Sequence, residues 1–279
     1  MTAQLKHHIK GISGVILGKL FPNRRKLVER YATIPWHYKP GFGKLELLIR
    51  AGLLYAKSNS SSEQNGLMDL HKHFWKNQLA GEYYSNTKNR FNEIFIPYFS
   101  IYLRKLDQLI QTNNIESVVE IGTGDGQLLA HLAQRWPSTA CIGLDLSYDQ
   151  IEHNKNIYRQ KNIEFHSGDA IDWIKNQTAQ TTLYITGLGV LEYFEYTKLS
   201  EILNSIKNKH TGNMLFLTEP VYNNINMDAE FDSFSGGYEH SFTHAYPKIL
   251  ERGGWKIIEN DLVEALDNRF WVGIAINSN

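Results

Sequence analysis

The sequence contains one cysteine, Cys141, in 279 residues, and its formal net charge is zero. One cysteine excludes a disulfide framework and is typical of a reducing compartment. No apolar run approaches the roughly 20 residues that span a bilayer, and no segment has the clear features of a signal peptide. We therefore expect a cytoplasmic protein, with one α/β domain, an appendage and a sizeable core.

The neutral total hides two oppositely charged parts. Residues 1–57 carry eleven Lys or Arg and two acidic side chains, a net charge of +9, so the rest of the chain carries −9. Within the basic part, residues 9–20 are apolar at helical spacing, and lysines flank them. This segment could lie on an anionic membrane surface. We favour the alternative, a helix packed on the protein with solvated lysines, because its three glycines weaken a free-standing helix.

The polar, serine-rich residues 58–65 are the best candidate linker in the chain. We expect a basic, mainly helical appendage over residues 1–80 and a second domain over residues 81–279. Helical periods are predicted over 44–57, 68–80 and 91–111, with a break at 81–85 and an interruption near Pro97.

Strands and helices alternate from residue 117 onward, which predicts a mostly parallel sheet. The predicted strands are 117–121, 140–145, 163–167, 182–186, 213–218, 255–265 and 269–276. The predicted helices are 127–135, 148–160, 171–176, 198–209 and 246–252. Only three residues separate the last two strands, so they form a hairpin and one strand is antiparallel. Residues 220–243 are expected to be irregular and aromatic.

The most informative stretch runs from Val118 to Leu129. An apolar run contains Glu120 near its end, glycines follow at 122, 124 and 126, and a helix-forming segment comes next. This reads as strand, tight loop and helix, with glycines where the backbone turns and a ligand approaches. A dinucleotide site would need its third glycine where Gln127 stands. A carboxylate here would repel a pyrophosphate and attract a cation.

This E-x-G-x-G-x-G pattern resembles the first motif of class I S-adenosylmethionine (SAM) dependent methyltransferases. The resemblance covers roughly residues 91–279. It implies an α/β fold with a seven-stranded, mostly parallel sheet, one antiparallel strand, and SAM as cofactor. The α-amino and sulfonium groups of SAM are cationic, which suits Glu120. A glycine-rich turn without a ligand is the alternative.

Acids at further strand ends extend the match. Asp145 can accept both ribose hydroxyls, although an acid at a strand end could also be a solvated cap. The resemblance implies that Asp169 binds the adenine amino group and the next N–H a ring nitrogen. The predicted cofactor-binding residues are Glu120, Gly122, Thr123, Gly124, Gly126, Asp145, Leu146, Asp169, Ala170 and Gly187. By analogy alone, Tyr83, Tyr84 and Tyr98 are candidates to cover the SAM pocket; ordinary core packing is the alternative.

The acceptor is predicted to be a small molecule, such as a saccharide, methylated on an oxygen or nitrogen atom. The fourth strand lacks the D/N-P-P-Y/F/W signature of nucleobase amino-methyltransferases, and Cys141 lies inside a strand, unlike the cysteine of 5-methylcytosine enzymes. Residues 219–246 are rich in aromatic side chains, and residues 241–247 weakly resemble a pattern in sugar O-methyltransferases. The resembling segment 187–193 would lie beside the substrate, and the predicted substrate-binding residues are Glu192, Tyr193, Tyr222 and Tyr246.

Transfer to a hydroxyl requires alignment and a general base. His244 is the first candidate and His240 the second, with Glu219 as an orienting residue or further base; pocket-lining or surface histidines are the alternative. Glu239, His240 and His244 could bind a metal, but Pro247 argues against the helix this needs, and we predict none. His71 and His73 are expected on the surface.

Two other functions stay open. One is a non-catalytic SAM-fold module that its basic N-terminus recruits to a membrane or partner such as an acidic carrier domain. The other is an RNA methyltransferase that uses the basic segment for phosphates. Against nucleic acid, no basic and aromatic pattern runs through the predicted active face, which is acidic overall.

Overall fold

The computed structural model describes residues 3–31, 41–59, 64–76, 78–87, 89–222, 225–227, 231–236, 240–266 and 268–277. The chain divides into two compact units. The first contains residues 1–77 and 234–242, and the second contains residues 78–233 and 243–279.

The N-terminal part of the first unit is helical, as predicted. Its helices are α1 (Ala3–Leu20), α2 (Pro22–Arg30), α3 (Lys44–Asn59) and α4 (Gln64–Lys76). Leu53, Leu54, Leu67 and Phe242 form its apolar cluster. The candidate linker 58–65 falls partly outside the described residues, since α3 continues to Asn59 and α4 begins at Gln64.

Glycines allow α1 and α3 to pack with their backbones in contact. A methyl group added at Gly14 would overlap the Leu48 carbonyl oxygen and the backbone of Gly52. One added at Gly18 would meet only side chains, the nearest atoms lying 3.5 Å away on Arg25 and 3.6 Å away on Ile49. The glycines that weaken an isolated helix are therefore what lets this helix pair form.

The second unit contains a seven-stranded sheet, and most of a separate two-stranded sheet belongs to the first unit. In chain order the strands are β1 (Ser117–Ile121), β2 (Ala140–Asp145), β3 (Ile163–Ser167), β4 (Thr182–Thr186), β5 (Met214–Val221), β6 (Ser233–Gly236), β7 (Ser241–His244), β8 (Lys256–Ala265) and β9 (Asn268–Ile276). β6 and β7 pair with each other, and the others form a seven-stranded sheet in the order β3-β2-β1-β4-β5-β9-β8. β1 to β5 are parallel and β9 is antiparallel to both neighbours. The predicted fold class is confirmed.

Helices cover both faces of this sheet. They are α5 (Gln78–Thr87), α6 (Ile96–Thr112), α7 (Gln127–Arg135), α8 (Tyr148–Ile157), α9 (Ala170–Asn176), α10 (Tyr196–Lys207) and α11 (Tyr246–Arg252). Alternate residues of β1 point to opposite faces: Val118 joins the core with α6 and α7, whereas Val119 joins the core with α9, α10 and α11. Burial on both faces explains why the strands read as continuous apolar runs.

Two local predictions were wrong, and a third was correct in part. Residues 81–85 do not break the helix, because α5 spans them and one glycine costs only about 1 kcal/mol. An irregularity does lie next to Pro97: a π-helical turn, Phe91–Phe95, leads into α6, and Pro97 is the second residue of α6. The chain stays helical through this change. Residues 220–243, expected to be irregular, contain the strand β6, the end of β5 and most of β7.

His71 is buried, contrary to the surface position predicted for it, whereas His73 is exposed. The Nε2 atom of His71 lies 3.4 Å from the carbonyl oxygen of His240, within the first unit. Burial lowers the pKa of His71 to about 4. Spacing alone placed both histidines on a helix surface, but α4 turns the first one inward. Among the described residues no helix is both long and apolar enough to cross a membrane.

The α1–α3 contact yields a stability prediction. We expect Gly14→Ala to destabilise the protein by about 1–3 kcal/mol, because the added methyl group has no room. The matched control is Gly18→Ala, on the same helix, which should stabilise by up to about 1 kcal/mol through helix propensity. Thermal unfolding followed by circular dichroism measures both. Equal stabilisation by the two substitutions would contradict the backbone contact.

Candidate functional site at the carboxyl edge of the sheet

The glycine loop connects β1 to α7, and its three glycines all adopt left-handed backbone conformations. Gly122, Gly124 and Gly126 have φ angles of 68°, 51° and 75°, values that residues with a Cβ adopt only with strain. The space around them is also occupied. A Cβ at Gly122 would lie 2.6 Å from the side chain of Val190, and one at Gly124 would lie 2.8 Å from the ring of Tyr84. Two separate reasons therefore require glycine at these positions: the backbone conformation and the lack of room for a Cβ.

Asp145 ties this loop to the loop that follows β2. One carboxylate oxygen, Oδ2, accepts the N–H of Gly124 at 2.9 Å, and Oδ1 accepts the N–H of Ser147 at 2.9 Å. The hydroxyl of Tyr84 donates to Oδ2 at 3.4 Å. Asp145 is only 7% exposed, and burial raises its pKa. It is therefore a buried acid whose position is held by backbone donors, with Leu146 half-buried beside it.

Glu120 lies one residue before the end of β1 and is 3% exposed. Its Oε2 atom accepts a 2.7 Å hydrogen bond from the Thr123 hydroxyl. Burial raises the pKa of Glu120 to about 8, which favours the protonated carboxyl group. A Cβ at Gly187 would lie 3.3 Å from Oε1, so Glu120 is adjacent to the loop after β4. A cation bound beside Glu120 would lower its pKa and so favour the ionised carboxylate.

Asp169 caps a helix in this structure. Its Oδ1 accepts the N–H of Ile171 at 3.0 Å, as the N-cap of α9, and Ala170 is the buried first residue of that helix. In the sequence analysis, a capping role was the alternative to ligand binding for an acid at a strand end. The second carboxylate oxygen and the half-buried surroundings are compatible with the predicted adenine contact, which stays a prediction.

Hydrogen bonds attach the loop after β4 to the end of β5. The N–H groups of Leu188 and Gly189 donate to the hydroxyl and carbonyl oxygens of Thr218, at 2.8 and 3.0 Å. The next two N–H groups, of Val190 and Leu191, donate to Oε2 of Glu219 at 3.0 Å each. Leu188 has a φ of 62°, an uncommon value for a residue with a Cβ. Four successive donors thus hold a strained loop on one strand end.

Glu219 is completely buried, and burial raises its pKa to about 7. Its carboxyl group interacts with the hydroxyl groups of Thr186 and Tyr246, which are buried beside it. Together these groups form a buried polar cluster in which hydroxyls and backbone N–H groups hold the carboxyl group in position. This cluster lies directly beneath the loop after β4.

His244 and Tyr246 are both buried on the same side of the sheet as this cluster. The Nε2 atom of His244 lies 3.2 Å from the carbonyl oxygen of Leu191, and burial lowers the pKa of His244 to about 4. Tyr246 stacks on Trp271 at 5.0 Å between ring centroids. Glu192 and Tyr193, in a 3₁₀ turn, and Tyr222 are half-buried.

His240 belongs to the first unit and has a φ of 54°. Glu239, weighed in the sequence as a metal ligand with His240 and His244, lies outside the described residues. Among the described residues, no group of three His, Cys, Asp or Glu side chains is arranged to hold a metal ion.

Several contributors to the site were not predicted from the sequence. Asn154 donates to the carbonyl oxygen of Gly124 at 2.7 Å from the middle of α8. Thr186 and Thr218 supply hydroxyls beside the loop after β4. Thr218 is adjacent in sequence to the predicted site residue Glu219, and that position could have marked it as a candidate. No sequence signal marks Asn154, because 30 residues separate it from its hydrogen-bond partner, Gly124.

Comparisons with known proteins agree on the type of domain. Residues 118–209 match the family described as a methyltransferase domain. A Dictyostelium discoideum protein named probable inactive O-methyltransferase 11 is 24% identical over 208 residues, which cover 71% of this chain and 58% of the relative. The chain therefore spans less than two thirds of that relative.

Magnesium protoporphyrin IX methyltransferase from Synechocystis PCC 6803 with bound SAM is one solved structure with partial similarity to this chain. It is similar over 91% of this chain and 97% of its own, with 15% identity and a TM-score of 0.45. The cyclase SpnF is similar over 63% of this chain and 80% of its own, with 14% identity and a TM-score of 0.48. Both identities are below 25% and both TM-scores are below 0.5, so neither similarity assigns a fold or a function to this chain.

The buried Glu120 yields a pH prediction. Its folded-state pKa of about 8 exceeds the ordinary value of 4.5, so stability from its protonated form is complete below about pH 4.5 and is lost as the pH rises through 8. We expect Glu120→Gln to remove this loss and to stabilise the protein by up to about 3 kcal/mol at pH 7. The difference from the unsubstituted protein should vanish near pH 4.5.

Thermal unfolding from pH 4.5 to 8 measures this difference. The matched control is Glu251→Gln on the exposed surface of α11, which should leave stability unchanged within about 0.5 kcal/mol at every pH. A Glu120→Gln variant whose stability difference does not change with pH would show that Glu120 is ionised in the folded protein.

Proposed function

We propose that this chain is a SAM-dependent methyltransferase that transfers the methyl group of SAM to an oxygen or nitrogen atom of a small molecule. The match of residues 118–209 to a methyltransferase domain and the strand order of the sheet support this proposal. The family match and the fold support SAM as its cofactor. One observation carries the proposal most directly. The glycine loop and the two buried acids, Glu120 and Asp145, lie together at the carboxyl edge of the sheet, where open α/β sheets bind their ligands.

The chemistry of this edge suits SAM. Asp145 offers acceptors for the ribose hydroxyls, and Glu120 offers a carboxyl group for the α-ammonium group. Both acids are buried, so an interaction with a cation there is weakly screened. Tyr84 already donates to Asp145 and covers Gly124. We therefore propose Tyr84 as the residue that packs on the ribose side of the cofactor.

Glu219 is proposed as a positioning residue. It is completely buried, and its Oε2 accepts two backbone N–H groups of the loop after β4. That loop corresponds to the predicted segment beside the cofactor and substrate. His244 is also completely buried, with a lowered pKa, which weakens it as a general base. We propose that both residues shape the acceptor side and that neither takes the substrate proton.

A non-catalytic SAM-fold module is the second candidate. The observation that favours it is the name of the Dictyostelium discoideum relative, which describes that protein as probably inactive. The two candidates share the cofactor site and differ in methyl transfer.

The cofactor site is tested by Asp145→Ala. A hydrogen bond to a charged group is worth roughly 1.5–3 kcal/mol, so this variant should bind SAM at least about tenfold more weakly, as measured by isothermal titration calorimetry. The control is Asp149→Ala, an exposed acid in the first turn of α8, which should bind SAM as the unsubstituted protein does. Undetectable binding of millimolar SAM by the unsubstituted protein would overturn the cofactor assignment.

Methyl transfer is tested with radiolabelled SAM and fractionated cell extract. We expect label in a small-molecule fraction. Glu219→Gln keeps an oxygen that can accept both N–H groups, so its rate should stay within about tenfold, whereas Glu219→Ala should lose at least about 100-fold. A loss of at least about 100-fold in Glu219→Gln would instead identify Glu219 as the base.

The same assay separates the two candidate functions. SAM binding without transfer to any fraction would support the non-catalytic module. Transfer to an RNA fraction would contradict the small-molecule acceptor.

A further inference from the structure

Helix α1 has two opposite faces of different character. Gly11, Gly14 and Gly18 lie on the face that packs against α3, where Tyr55, Gly52 and Ile49 approach them. The helical repeat of 100° per residue places these glycines within about 60° of one another. The opposite face is therefore turned away from the rest of the first unit's helix pair.

That opposite face is apolar and exposed. Ile9, Ile12, Ile16 and Leu20 are 46%, 45%, 54% and 66% exposed. Their spacing of three, four and four residues forms one continuous row, which we name the α1 stripe. A row of large apolar side chains in water is unfavourable, and contiguous exposed apolar surface marks an interaction site.

Basic side chains border the α1 stripe. Lys10 and Lys19 are exposed on α1, about 100° and 280° around the helix from Ile9, so they flank the row on both sides. On α2, Arg24, Arg25 and Lys26 are also exposed, but Arg25 lies near Gly18 on the opposite face of α1. Arg24 pairs with Glu46 at 3.2 Å and Arg25 with Glu29 at 2.9 Å, so Lys10 and Lys19 are the bases that flank the row.

We propose that the α1 stripe docks on an anionic lipid surface, with α1 lying in the plane of the interface. The partner is chosen by charge complementarity, because residues 1–57 carry a net charge of +9 and each basic residue near an anionic membrane contributes about 1 kcal/mol. Lysines that flank an apolar row can reach the headgroups while the row enters the acyl boundary.

The glycines decide the orientation of the stripe. With larger residues at Gly14, α1 could not approach α3 with its backbone. Packing through the glycine face leaves the four long apolar side chains for another surface. The two interpretations of this segment, a helix packed on the protein and a helix on a membrane, are thus compatible, because they use opposite faces. This inference does not depend on methyl transfer or on SAM.

Vesicle binding tests the proposal with the full-length chain. We expect sedimentation with vesicles of phosphatidylglycerol and phosphatidylcholine, and little with phosphatidylcholine alone. Binding should weaken between 50 mM and 500 mM salt, since surface charges are screened. Ile12→Gln with Ile16→Gln should reduce the partition coefficient at least about tenfold. Lys10→Gln with Lys19→Gln should reduce it about tenfold or more on anionic vesicles only.

Matched controls isolate the stripe. Ile101→Gln with Ile157→Gln changes two isoleucines that are 59% and 50% exposed in the second unit, and Lys161→Gln with Lys256→Gln changes two exposed lysines there. Both pairs should bind vesicles as the unsubstituted protein does. All four pairs of substitutions replace exposed residues, so each variant should unfold at the same temperature as the unsubstituted protein. Thermal unfolding therefore checks that each variant is folded.

Three results would overturn the proposal. One is equal binding to neutral and anionic vesicles, and another is vesicle binding that the Ile12 and Ile16 substitutions leave intact. The third is a dimer, measured by light scattering, that those substitutions convert to a monomer in a protein that binds no vesicles. That result would assign the stripe to self-association.

Discussion

The buried carboxylate of Asp145 connects the two loops on which the site depends. It accepts one N–H from the glycine loop and one from the loop after β2, each at 2.9 Å. A buried acid without such donors would cost several kcal/mol. The left-handed Gly124 turns its N–H toward this carboxylate, so loop conformation and carboxylate position stabilise each other. The remaining groups of the edge, including Glu120 and Tyr84, are arranged around this pair of bonds.

A second carboxylate repeats this arrangement on the other side of β1. Glu219 accepts two N–H groups from the loop after β4, as Asp145 does for its two loops. Burial raises the pKa of Glu120, Asp145 and Glu219 alike. The carboxyl edge of the sheet thus holds acids in a poorly solvated place, and a cationic ligand would stabilise their charged forms. Such an edge suits a sulfonium cofactor better than a pyrophosphate.

Much of the fold could be predicted because its signals are local. Residues 117–121 and 140–145 are short apolar runs followed by turn residues, and both are strands with those bounds. The hairpin at the end followed from the short separation of its strands. The π-helical turn at Phe91–Phe95 could not be predicted, because a register change of one hydrogen bond leaves no mark on the apolar period. Helix α5 crosses Gly81 since the packing of Tyr83, 5% exposed, offsets the weak local propensity.

The sequence by itself determined the strands of the seven-stranded sheet, their order along the chain and the glycine loop with its acids, because periodicity and turn chemistry act between neighbours along the chain. Tertiary structure alone decided which polar groups are buried and what they contact. His71 and His244 occupy sequence contexts that resemble surface or pocket positions, yet both are buried. Asn154 reaches Gly124 across 30 residues, and the glycines of α1 become a contact surface only when α3 packs against them. Burial depends on packing between distant segments, and a single sequence does not specify which segments meet.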